Sequence, residues 1–301
     1  MTMQADRAAW LNERRKGIGG SDVAGVLGLS PWKTPLQVYL DKRGEAEETP
    51  DNEAMLWGRV LEPVIRQQYA ERTGRVVRVP EQILAHPQHG FMLANLDGIT
   101  DDRRVVEIKT SRVGNGWGEP GSDEIPEQYL LQVQHYMAVT GCDVADVAVL
   151  IGGSDFRLYE VPADRELHEM LVDAEADFWQ RVIEGIPPEP VNYTDMVAKF
   201  GRCSIEHSVE AGQEEINALR QLKEIRVAIK ALEADEEAAK AVIMRAMGQN
   251  DTLASSGKIL ATWKLANASS RFDAARFKSA HPDLHGQFLK VGEPSRRFLI
   301  K

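Results

Sequence analysis

The sequence predicts an α/β (α+β) fold followed by a helical appendage. Three observations predict it: the apolar period switches from helical to strand-like and back between residues 54 and 185, turn residues separate short β-branched runs, and a long amphipathic stretch follows a proline-rich connection. Gly17-Ile18-Gly19-Gly20 reads as a flexible loop feeding the helix VAGVLGL, with Ser21-Asp22 as its N-cap and a loop-to-helix anion pocket at its start. A second helix is expected over 54–73, with Met55, Val60, Val64, Ile65 and Tyr69 on a helical period, Pro63 as a source of kinking and Gly74 as its stop. RVVRV (75–79), GFMLANL (90–96) and VVEIK (105–109) then read as paired strands. Pro126 opens a helix that runs to Gly141, VADVAVLIGG and FRLYEVP are two more strands, and residues 164–185 close the unit as a helix.

After the connection IPPEPVNYTD a boundary is expected near Ile205, dividing the chain into 1–204 and 205–301. From Ile216 to Ala246 apolar residues recur every three or four positions, the pattern of an amphipathic helix or a helical hairpin. ILATWKL and RRFLIK are expected as terminal strands around a short helix at 273–280.

Composition sets the bounds on function. With 43% hydrophobic and 27% charged residues the chain can bury an ordinary core. The two cysteines, Cys142 and Cys203, exclude a four-thiolate cluster and point to a reducing cytoplasm with any metal on oxygen ligands. No signal-peptide pattern and no run of about 18 apolar residues is present, so neither secretion nor membrane insertion is expected. The net charge of −10 is unfavourable for binding nucleic acid in general, but it is unevenly spread: residues 248–301 are net basic and residues 1–204 carry the excess acid.

In VVEIKT, strand alternation puts Glu107 and Lys109 on one face and Val106 and Ile108 on the other. Asp97 ends the preceding run, and a hairpin through 98–104 would return Glu107 beside it. Two carboxylates side by side repel unless a cation joins them, and their hard oxygens suit Mg²⁺ or Mn²⁺, which bind substrate phosphate. Lys109 would orient the attacking water or offset transition-state charge. On the helix opened by Pro126, Gln128, Gln132 and His135 form a polar stripe, so Gln132 can face this group or solvent. Arg14 or Arg15, with Ser21, can complete the anion pocket, spacing from Trp10 favouring Arg14, and Arg112, a loop arginine, can contact phosphate too or be simply solvated. His86 and His89 are read as a surface turn, and of Trp32, Trp57, Trp117 and Trp179, which can stack on bases, most are expected in the core. GIGGSD lacks the third glycine of a dinucleotide fingerprint, and no GxxxxGK[ST] loop is present.

GIGGSDVAGVLGLSPWKTPLQVY, WGRVLEP, LDG, VVEIKT and YLLQVQHYMAVTG, in that order, resemble the YqaJ-type viral recombinase family over residues 10–185. That family falls within the PD-(D/E)xK nucleases, with Leu96-Asp97 here in place of Pro-Asp. The resemblance implies a restriction-endonuclease-like core with a central mixed sheet flanked by helices. It also implies a metal set of Asp97, Glu107 and helix-borne Glu62, a catalytic Lys109, an active-site Gln132 and a terminal 5′-phosphate pocket using Arg14 and Ser21. The implied activity is ATP-independent 5′-to-3′ digestion of linear duplex DNA with two Mg²⁺ or Mn²⁺ ions, leaving 3′ single-stranded tails for a single-strand annealing partner. A ring-shaped homotrimer, encoded by phage or prophage and acting in the bacterial cytoplasm, completes the expectation. The alternatives are an endonucleolytic or structure-specific nuclease, or a recombination adaptor acting through residues 205–301.

Overall fold

The computed structural model describes residues 12–46, 51–202, 205, 207–268, 270–289, 292 and 294–300, so Trp10 and Cys203 lie outside the described residues. Two compact units make up the chain, Met1–Lys199 and Phe200–Lys301. The first contains, in order, β1 (Ile18–Gly19), α1 (Gly20–Val26), α2 (Pro35–Arg43), α3 (Glu53–Thr73), β2 (Val77–Arg78), β3 (Leu84–Ala85), β4 (Met92–Ala94), β5 (Gly98–Thr100) and β6 (Arg104–Ser111). It continues with α4 (Glu127–Thr140), β7 (Val144–Ile151), β8 (Asp155–Pro162), α5 (Arg165–Glu184) and α6 (Tyr193–Phe200), whose last residue reaches the second unit.

The main sheet has the order β2-β5-β6-β7-β8 and is mixed. Strands β6 and β7 run parallel, as a crossover through α4 requires, whereas the β2–β5, β5–β6 and β7–β8 pairs are antiparallel. Helices cover both faces of β6, which explains the unbroken burial of Val105, Val106, Glu107 and Ile108. On one face Val106 and Ile108 pack with Ile65 and Tyr69 of α3, and on the other Val105 joins Val147, Val149, Val133 and Met137 beneath α4. A small second sheet, β1-β4-β3, pairs β1 parallel to β4 and so brings the 17–20 loop beside the strand that leads to Asp97.

Local chemistry sets the helix ends. Asn52 caps α3 and Asp164 caps α5 through their side chains, and Gly74, Gly141 and Gly185 end α3, α4 and α5 in the left-handed conformation. The unforeseen helix α2 carries the same signals: Thr34 and Gln37 form a capping box, Pro35 stands at the first turn and Gly44 terminates it.

Several expectations change. Helix α1 begins one residue after Gly19, so Gly19 is the N-cap and Ser21 and Asp22 lie within the first turn. The Asp22 carboxylate turns back to accept the Gly19 N–H (3.2 Å). Only Val77–Arg78 of RVVRV and Met92–Ala94 of GFMLANL are strand, and β4 pairs with β1 and β3 rather than joining the main sheet. The hairpin partner of β6 is instead the short β5, which lies within the 98–104 segment expected to form the turn. Pro63 sits inside a helix that continues to Thr73.

In the second unit the amphipathic stretch is one helix, α7 (Gln213–Met247), of 35 residues. It is followed by the antiparallel pair β9 (Thr252–Ser255) and β10 (Lys258–Thr262), then α8 (Ala274–Ala280), capped by Asp273, and α9 (Pro282–Gln287). Residues 296–300 of RRFLIK form no strand.

Candidate functional site

The β5–β6 register, Gly98 opposite Val106, carries Asp97 to the level of Glu107 and Ile108. Asp97 Oδ2 accepts the Ile108 N–H at 2.8 Å, which locks the carboxylate against the strand bearing Glu107. Strand alternation aims Glu107 and Lys109 to the α4 side. There Lys109 Nζ lies 2.5 Å from Glu107 Oε1 and 3.0 Å from Gln132 Oε1, while Gln132 Nε2 donates to the same Glu107 oxygen at 2.8 Å. Gln132 is buried, and its amide also donates to Tyr136 Oη (3.1 Å), one turn further along α4. The polar stripe therefore divides. Gln132 faces the site, whereas His135 is fully buried and bridges Glu175 of α5 (2.8 Å) and the Leu93 carbonyl of β4 (3.0 Å).

Glu62 stands on α3, half-buried and paired with Arg66 one turn on (3.0 Å). Burial, then the charge of Asp97, raises its pKa, so the two carboxylates sense one another. Burial also raises Asp97 despite Lys109 and the Ile108 N–H. For Glu107, burial and then Asp97 push the carboxyl up to about 8, against the opposing pull of Lys109. Burial would lower the Lys109 ammonium, but Glu107 and Asp97 override it and hold it above its ordinary value. Lys109 is thus a cation, about 18% exposed towards the cleft.

The donor set fits a divalent cation. Glu107 Oε2 is buried without a hydrogen-bond partner, a costly state for a carboxylate oxygen that a cation would relieve. Among the described residues no three His, Cys, Asp or Glu side chains gather into a cation-holding group. An ion there would rest on Asp97 and Glu107, which the strand register brings together, with water and phosphate oxygens completing its shell, as Mg²⁺ prefers.

Ser21 and Lys109 line one cleft of about 190 Å³, together with Trp32, Gln128, Tyr129 and Gln132. At its rim Arg14 donates to Ser21 Oγ (3.0 Å). Beneath them Asp22 is wholly buried, 2.6 Å from Lys42 Nζ and 3.6 Å from Arg14. Lys42 also clasps the Arg14 carbonyl at 3.0 Å. Burial works against the Asp22 charge, but Lys42, Arg14 and Lys33 prevail and hold its carboxyl at about 2. Arg15 turns away to the Asp41 carbonyl, which separates it from Arg14 in role. Arg112 is exposed just past the end of β6.

Sequence reasoning took Asp22 only as part of a helix cap and missed Lys42 and Tyr136, since the buried roles of all three arise only where α1, α2 and α4 meet. Trp32 (64% exposed) and Trp57 (53%) lie outside the core expected for most of the tryptophans, and Trp117 (8%) lies within it. His86 Nδ1 accepts the N–H groups of Gln88 and His89, both at 3.1 Å, and so organises a turn.

Residues 9–143 match the YqaJ-like viral recombinase domain. Among solved structures, the alkaline exonuclease LHK-Exo of Laribacter hongkongensis is 22% identical, covering 60% of this chain and 94% of its own with a TM-score of 0.49. The R354 protein of Acanthamoeba polyphaga mimivirus is 30% identical over 151 residues, 46% of this chain and 27% of its own. The YqaJ protein of Bacillus subtilis (strain 168) is 33% identical over 307 residues, spanning 99% of this chain and 95% of its own. A likeness of that extent, spanning both units as well as the 9–143 match, shows that the chain belongs to the YqaJ-like viral recombinase family.

Proposed function

We propose that the chain is a divalent-metal-dependent, ATP-independent exonuclease that digests one strand of linear duplex DNA from its 5′ end and leaves a 3′ single-stranded tail for annealing-type recombination. The observation that carries the reading is the convergence of Asp97, Glu107, Lys109 and Gln132, with one buried Glu107 oxygen left for a cation. Membership of a recombinase family supports DNA as the substrate.

Asp97 and Glu107 would hold Mg²⁺ or Mn²⁺, with Glu62 beside them, and such ions polarise a phosphodiester for hydrolysis. Lys109, kept cationic by its two carboxylate neighbours, positions the attacking water by hydrogen bonding and offsets the charge that grows on the phosphoryl oxygens. Gln132 fixes the rotamers of Glu107 and Lys109 and is itself held by Tyr136, so the ammonium is aimed before substrate arrives. Ser21, which lines the same cleft, and Arg14, which donates to it, take the terminal 5′-phosphate, with Arg112 as a backbone contact. A homotrimer enclosing the duplex reconciles the net charge of −10 with sustained binding, because enclosure substitutes for electrostatic grip.

The test is a time course with Mg²⁺ on end-labelled linear duplexes with and without 5′-phosphates, beside a relaxed circle, with chelator as control. Release of mononucleotides from linear DNA alone, fastest from phosphorylated ends, is the expected result. Cutting of the circle at the linear rate would replace the exonuclease reading with an endonuclease.

A further inference from the structure

We infer that Trp32 is a base-stacking subsite for the 5′-terminal nucleotide, a role that rests on the exonuclease reading and adds a contact to it. The indole is 64% exposed, yet the loop that carries it is tied down on both sides. Before it, the Leu29 and Ser30 N–H groups both bond the Ala24 carbonyl, at 2.8 and 3.0 Å. Within it, Ser30 Oγ accepts the N–H groups of Trp32 and Lys33, at 3.1 and 3.2 Å. After it, Thr34 caps α2 and donates its hydroxyl to Asp195 (2.8 Å). An ordered backbone that holds a large apolar ring in water forgoes the gain of burying it, which is reasonable where a ligand completes the burial.

The position of the ring says which ligand. Trp32 and Tyr129 stand 6.1 Å apart between ring centres, tilted by 33°, and both line the cleft that holds Lys109, Gln132 and Ser21. Tyr129 is already engaged from other sides: Lys109 Nζ sits 4.7 Å from its ring centre, and Trp117 packs at 5.7 Å. The open aromatic surface is therefore that of Trp32. A terminal nucleotide with its 5′-phosphate at Arg14 and Ser21 and its 3′-phosphodiester at Lys109 has one remaining part, the base, and the cleft offers that part an indole. Gln128, which lines the same cleft, carries an amide that can both donate and accept at a base edge. Stacking on a ring tolerates any base, which suits an enzyme that must remove every nucleotide in turn.

The experiment uses the full chain with a 5′-phosphorylated duplex whose first linkages resist hydrolysis and whose 5′-terminal base is 2-aminopurine. A second duplex carries the probe ten base pairs inward. Wild type and Trp32→Phe are expected to quench the terminal probe and leave the internal one unchanged, whereas Trp32→Ala abolishes the quench. In turnover of unmodified duplex, Trp32→Ala should raise KM about tenfold with little change in kcat. An abasic 5′-terminal nucleotide should cost the wild type the same factor and the Trp32→Ala variant nothing further. Retained quenching in Trp32→Ala, or an equal KM penalty on normal and abasic ends, overturns the subsite while leaving the exonuclease reading intact. Absence of any hydrolysis of linear DNA by the wild type overturns both.

Discussion

Glu107 is held in a position that a carboxylate tolerates poorly by itself. It is 2% exposed, faces Asp97, and has one oxygen without a partner. A Glu107→Gln protein keeps the acceptor for Lys109 and discards the repulsion, so its metal-free stability should stay within about 1 kcal/mol of the wild type or exceed it, while hydrolysis is lost. Urea denaturation in chelator, set beside a nuclease assay, checks both halves of that expectation. Lys109→Ala should reduce kcat by two to three orders of magnitude or more, as loss of one charge-stabilising donor commonly does, with DNA binding retained by gel shift. Arg14→Ala should erode the preference for phosphorylated ends rather than turnover itself, read as the ratio of kcat/KM on phosphorylated and hydroxyl ends. The spacing of Glu107 and Lys109 was legible because strand periodicity is local, and Asp97 was legible because a short hairpin is nearly so. Lys42 was not: its amine becomes meaningful through Asp22, twenty positions earlier on another helix, and no local pattern encodes that meeting.

At the level of elements, α1 and α4 approach closely because Gly20 has no side chain. A Cβ there would lie 2.5 Å from Tyr136 Cε1, on the ring whose hydroxyl accepts from Gln132. Gly20→Ala is expected to cost about 1–3 kcal/mol in urea denaturation and to lower kcat by displacing Gln132, and Tyr136→Phe, which keeps every clashing ring carbon, should not relieve that loss. The buried Asp22–Lys42 pair sets an acid limit. The folded carboxyl at about 2 lies below the ordinary aspartate value of 3.8, so the folded state favours the charged form. Its contribution, ~2 kcal/mol, is complete above about pH 4 and lost as the pH falls towards 2. Asp22→Asn should flatten that limb in urea midpoints measured between pH 2 and 5, at a cost of several kcal/mol at neutral pH because Lys42 is left buried and unpaired. The opposite sign applies to His135. Burial disfavours its imidazolium, but Glu175 and the Leu93 carbonyl accept from both ring nitrogens and raise its pKa, so its contribution is lost on the alkaline side. Helix α2 shows the limit of periodicity as a guide: its nine residues have scarcely any amphipathic stripe, and only the Thr-Pro start and the glycine stop marked it.

For the whole molecule the charge distribution is the first consideration. Residues 248–301 are net basic while residues 1–204 hold the excess acid, so removal of 249–301 should weaken DNA binding at low salt and matter little at high salt, measured by anisotropy across a salt series. No difference at low salt would point to docking of an acidic protein instead. The long helix α7 was legible as an apolar stripe among charges, but a stripe cannot tell one helix from a hairpin when no glycine or proline breaks it. The parallel pairing of β1 with β4 has a kinetic consequence. It joins residue 18 to residue 92, and the site then waits for α4 to bring Gln132 to β6. Such long-range closures are slow to form, so on dilution from denaturant helical signal should return first and nuclease activity last. A chain still emerging from the ribosome would for the same reason carry Asp97, Glu107 and Lys109 well before the proposed site was assembled around them.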